Sequence, residues 1–137
     1  MSRIINPDSA GKERTRFIKA IVLALRRLAQ QTEPGAESRD LAAFIVLALG
    51  IVAGTIDRSV NAWEKRGYWV KADKFRMDWS WTGRFALRML QALQADDWGT
   101  VADIAALTAQ KLNKTTIPEG NRLGKPWLGA WEELKKR

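Results

Sequence analysis

Leu41-Ala-Ala-Phe-Ile-Val-Leu-Ala-Leu-Gly-Ile-Val-Ala-Gly-Thr-Ile56 contains no charged side chain, and Arg39-Asp40 and Asp57-Arg58 close its two ends. It is the longest uncharged apolar run in the chain. Only the core of a helical bundle or the inside of a bilayer suits such a helix. Its length separates the two: at ~1.5 Å per residue the run reaches about 24 Å, short of the ~30 Å hydrocarbon layer. The stretch therefore reads as a central core helix over about 39–56, with no transmembrane segment expected. Leu41, Phe44, Ile45, Leu49, Ile51, Val52 and Ile56 form its broad bulky face. Ala43, Gly50, Ala53 and Gly54 line the other side, where a neighbouring backbone could come close.

A core helix needs amphipathic partners, and the preceding segment supplies one. Counting 100° per residue, Phe17, Ile18, Ile21, Val22, Leu25, Leu28 and Ala29 share one side. Lys12, Arg16, Lys19, Arg26 and Arg27 fall opposite them. Residues 1–7 read as an extended lead-in, with Asp8 or Ser9 as N-cap. Pro34-Gly35 breaks the chain between the two helices, and Ser38 is the expected cap of the second. So short a connection makes the two helices antiparallel neighbours. Gly67 is placed to end the second helix in the left-handed conformation.

Downstream, a long third helix is expected from about Tyr68. One stripe holds Phe75, Trp79, Ala86, Leu90 and Leu93, and a second holds Met77, Trp81, Phe85 and Met89. Asp96-Asp97 ends it and caps a fourth helix, on which Trp98, Val101, Ala105 and Leu112 share a face. Residues 113–126, with Pro118, Gly120, Gly124 and Pro126, read as a loop. Pro126 suits the first position of a short last helix over 127–136, whose packed side would carry Trp127, Leu128, Trp131 and Leu134. The fold class is all-α, a single domain over 1–137 with about five helices around the central one.

Composition narrows the chemistry. The chain has no Cys and no His, which removes disulfides, thiolate and imidazole metal ligands, and the usual nucleophile–base pairs. No Gly-rich phosphate loop follows a strand, and no two carboxylates stand in a catalytic spacing. The expectation is a non-enzymatic protein with no catalytic residues, cofactor or metal. Basic and acidic residues are mixed from the start, without an apolar leader, which suggests a cytoplasmic protein.

The formal charge is +8, from 23 Lys+Arg against 15 Asp+Glu, which favours an anionic partner. The basic face of the first helix spans about 22 Å, enough to follow several phosphates of DNA or RNA. Lys65, Arg66, Lys71, Arg84 and Arg88, interleaved with tryptophans, form a possible extension. Such contacts neutralise phosphates and carry no base-specific readout. The bland alternative for both groups is a solvated surface. A second function class is self-association or docking on another protein, through the small face at Ala43, Gly50 and Gly54 or through Trp63, Trp69 and Trp81. A third is contact of the basic C-terminal tail with an anionic membrane surface.

Overall fold

The computed structural model describes residues 7–118 and 120–137. The expected lead-in lies outside them, except Pro7. Six helices follow in order: α1 (Pro7–Ala29), α2 (Ala36–Lys65), α3 (Trp69–Trp79), α4 (Trp81–Gln94), α5 (Trp98–Lys111) and α6 (Ala130–Lys135). No strand occurs among the described residues.

The quoted stretch is the middle of α2, and α1, α3, α4 and α6 all pack on that helix. Leu41, Ile45, Leu49 and Val52 are sealed from solvent in the main core with Ile21, Met89 and Ile104. α2 is long and apolar enough to cross a membrane, yet most of its apolar stretch is enclosed by the rest of the chain. Arg14, near the start of α1, bonds Thr55 and Ser59 late in α2, while Arg27 near its end pairs with Glu37. The two helices are thus antiparallel. α5 sits against α4, and α6 rests on α2.

Several boundaries differ from the sequence reading. Pro7 is already helical, so Asp8 and Ser9 lie inside α1 and are not its cap. α2 begins three residues before Arg39, with Gly35 as N-cap. Ser38 lies inside the helix, buried, and donates to Gln31 Oε1 and the Glu33 carbonyl, tying the connecting turn to α2. The C-terminal end of α2 agrees with expectation. Gly67 stands at φ 80°, and the N–H groups of Gly67 and Tyr68 donate to the carbonyls of Glu64 and Trp63.

The expected third helix is two helices. The hydroxyls of Ser80 and Thr82 donate back to the carbonyls of Met77 and Trp79, an alternative partner for backbone that would otherwise continue the ladder. The break resets the helical phase. Trp81, Phe85 and Met89 remain one buried stripe of α4, but Met77 is exposed on α3, opposite Ala72. A run of aromatic pairs, Trp63–Phe75–Trp79–Trp81–Phe85, crosses the junction with ring centroids 4.8 to 6.2 Å apart. It links the main core to a smaller one formed by Ile56, Val60 and Ala72.

Asp97 caps α5 as expected, accepting from the N–H and the hydroxyl of Thr100. The last helix is shorter than 127–136. Residues 126–129 form a turn, Gly129 has φ 79°, and Pro126 is therefore not at the first helical position. The turn buries Trp127 and leaves Leu128 exposed, against the expected shared face. Asp40 of α2 accepts from the N–H groups of Gly129 and Trp131, at 3.1 and 3.0 Å, and holds the C-terminal segment on the bundle.

Candidate functional site

The basic face of α1 does not present one uniform surface. Its first half borders a cleft of about 810 Å³, lined by Lys12, Arg14, Arg16 and Lys19, by Ser59 and Trp63 of α2, and by Leu123. Among the described residues no carboxylate lines it. Its second half borders a separate depression of about 440 Å³, where Arg26 and Arg27 meet Lys125 and Trp127. Leu123 lines one and Gly124 the other, so the loop before α6 passes between the two halves of the face.

Arg14 was missed by periodicity as a member of this site. It lies on the apolar side of α1, where its Nε donates to Thr55 Oγ1 at 3.2 Å. Its Nη2 donates to Ser59 Oγ at 2.7 Å and to the Thr55 carbonyl at 3.3 Å. The guanidinium also lies 4.8 Å from the Phe75 ring centroid. Burial, and secondarily the charge of Arg58, pushes its pKa below the ordinary value. One clue was readable: Thr55 and Ser59 stand four apart, on the turn that faces a lone arginine among apolar residues.

The other predicted cations divide by position and partner. Lys12, Arg16, Lys19, Arg26, Lys65, Arg66, Lys71, Arg84 and Arg88 have no carboxylate within ion-pair distance among the described residues. Arg27 does, in Glu37, whose carboxyl is held below its usual range chiefly by that hydrogen bond. Lys71 sits 4.6 Å over the Trp63 ring and so adjoins the cleft. Lys65 and Arg66 occupy the end of α2, and Arg84 and Arg88 lie on α4; none of the four lines the cleft.

Protein families, curated proteins and solved structures were compared with the chain. None matches.

The expected apolar contact surface is corrected in two places. Ala43 is fully buried and Trp81 is 5% exposed, so neither is available to a partner. Ala43 shares a helical stripe with Gly50 and Gly54, but the stripe is covered only at its Ala43 end, close to where Asp40 anchors α6. Gly50 and Gly54 are exposed, and a Cβ on either would meet nothing within 4 Å. Trp63 is half-buried in the smaller core, its ring edge-to-face with Phe75. Trp69 is exposed.

Proposed function

We propose that this is a non-enzymatic accessory protein that binds nucleic acid through its phosphates, without strong sequence preference, and acts in the cytoplasm. One observation carries the reading: four cations, Lys12, Arg14, Arg16 and Lys19, border one cleft that no described carboxylate neutralises. In such a recess, unpaired cations concentrate field and attract polyanions. Lys12, Arg16 and Lys19 are the phosphate contacts. Arg14 is fixed by its hydroxyl partners and adds positive potential from below. Lys71 extends the surface past Trp63, and Arg26 continues it beyond the loop. Trp63 already engages Lys71 and Phe75, which favours backbone contact over base stacking.

Anisotropy titrations of a labelled duplex and a labelled single strand, at about 50 and about 200 mM salt, test this. Engagement of four to six phosphates gives a log–log salt slope of about −3 to −5. An affinity indifferent to salt, or no binding at the lower concentration, contradicts the reading.

A second reading, a self-association or docking module, is favoured by a different feature. Leu47, Gly50 and Ile51 of α2 face Ala86, Leu87 and Leu90 of α4 across an open apolar groove of about 490 Å³. It predicts a mass that rises with concentration in light scattering and does not fall with salt.

A further inference from the structure

Where α2 ends, the left-handed Gly67 turns the chain back, and the next three residues are Tyr68, Trp69 and Val70. They are 54%, 59% and 85% exposed. Trp69 is the one tryptophan of seven on the open surface; the other six are buried or half-buried. On α3, Ala72, Phe75 and Trp79 face α2, while Val70 and Met77 fall on the opposite side, with Met77 76% exposed. α3 is therefore apolar on two faces. The inner one builds the smaller core, and the outer one has no partner among the described residues.

Single exposed apolar residues are ordinary on protein surfaces. This group differs in that Tyr68, Trp69 and Val70 are consecutive at the start of α3, with Met77 two turns further on past Asp73 and Lys74, and by the charges around it. Glu64 and Asp73 are both held by Arg76, and Asp78 by Lys74. Lys65, Arg66 and Lys71 have no carboxylate partner among the described residues, although Lys71 lies over the Trp63 ring, so the apolar tip is bordered by cations that no acid neutralises. Indole and phenol rings next to Lys and Arg, with aliphatic side chains pointing outward, match the boundary between lipid headgroups and acyl chains. A nucleic-acid strand would use Trp69 and the cations but leave Val70 and Met77 in water. A bilayer takes all of them.

We propose that the α2–α3 tip is a docking surface for an anionic lipid bilayer. Trp69, Val70 and Met77 enter the headgroup–acyl boundary, and Lys65, Arg66 and Lys71 lie against the anionic headgroups. This inference shares only Lys71 with the nucleic-acid reading of the α1 cleft, and Trp69, Val70 and Met77 do not line that cleft.

The test is flotation of the full-length chain with phosphatidylcholine vesicles containing about 30% phosphatidylglycerol, a strongly anionic surface, beside pure phosphatidylcholine. The expected result is co-flotation with the anionic vesicles, with a blue shift and bromolipid quenching of tryptophan emission that vanish in Trp69→Phe. Trp69→Ser with Val70→Ser should weaken partition by about tenfold or more while the circular dichroism, melting and nucleic-acid titration stay unchanged. Lys65→Gln, Arg66→Gln and Lys71→Gln should each cost about fivefold, or about a hundredfold together. The inference is overturned if the chain does not float, or if it floats equally without phosphatidylglycerol. It is equally overturned if the tip variants float like the parent, or if flotation is lost only on reversing Lys12, Arg16 and Lys19. A parent that is dimeric, becomes monomeric in the tip variant and never floats would assign the tip to self-association instead.

Discussion

Replacing Arg14 with Met keeps the aliphatic stem against Phe75 and removes the charged donor. The three hydrogen bonds lost are unequal. Thr55 Oγ1 keeps a bond of its own to the Val52 carbonyl at 2.6 Å, so it is not orphaned. Ser59 Oγ, buried and given its 2.7 Å bond by Arg14, loses the most. A hydrogen bond from a charged donor contributes about 1.5–3 kcal/mol net, and partial exposure of the guanidinium lets water replace some of it. Arg14→Met should therefore cost about 2 kcal/mol and Ser59→Ala about 1 kcal/mol. Because the two changes remove the same contact, the double variant should cost less than their sum, with a coupling of about 1 kcal/mol. Equilibrium urea denaturation of the four proteins by far-UV circular dichroism measures it, read as a two-state transition of one domain. Strict additivity would refute the pairing. A stabilised Arg14→Met would show that desolvating the cation costs more than its bonds return.

Three further outcomes follow from single contacts. Asp40→Ala should release the C-terminal segment, since it removes the acceptor of both Gly129 and Trp131 N–H groups; about 1–2 kcal/mol is expected, with faster hydrogen exchange at those two amides, and unchanged protection would count against the clamp. Gly67→Ala should cost about 1 kcal/mol, because φ is 80° and a Cβ meets nothing within 4 Å, leaving only the backbone penalty; a much larger loss of urea midpoint would contradict an open turn. Asp97 is held below the usual carboxyl range first by the Thr100 hydroxyl and then by the Thr100 N–H. Its folded value lies under its unfolded one, so its contribution is complete above about pH 4 and fades as pH falls through the folded value. The melting-temperature gap between the parent and Asp97→Ala should narrow over that acid range, and a gap constant with pH would contradict the assignment.

The features readable in the sequence were those set by local chemistry. The uncharged run of α2 was too short to span a bilayer and so had to supply the core, although Gly50, Ile51 and Gly54 stay exposed; Gly67 was placed as the left-handed stop, and Asp97 had a following N–H to cap. The break at Ser80 escaped periodicity because the two flanking stripes stay in plausible register on paper. Two hydroxyls bond back to Met77 and Trp79 at the break, Met77 is exposed because its phase on α3 is opposite Ala72, and Trp81 opens the buried face of α4. Gly35 displaced Ser38 as cap because Ser38 could serve the turn from inside the helix. For the candidate site, the cations of α1 were visible as a face. Its division was not, because the path of residues 120–125 is a long-range feature that no local pattern carries. Arg14 sits between these cases: its phase on α1 was readable, while its partners depended on how α1 and α2 align.

The cleft is tested most directly by a paired charge reversal, read by anisotropy against the same labelled duplex at low salt. Lys12→Glu with Arg16→Glu should weaken binding at least about tenfold, whereas Arg84→Glu with Arg88→Glu, the same change in net charge on α4 and outside the cleft, should leave it within about twofold at matched ionic strength. Equal losses from both sets, or binding that survives reversal of the cleft, would show that any affinity is a property of net charge and not of this site.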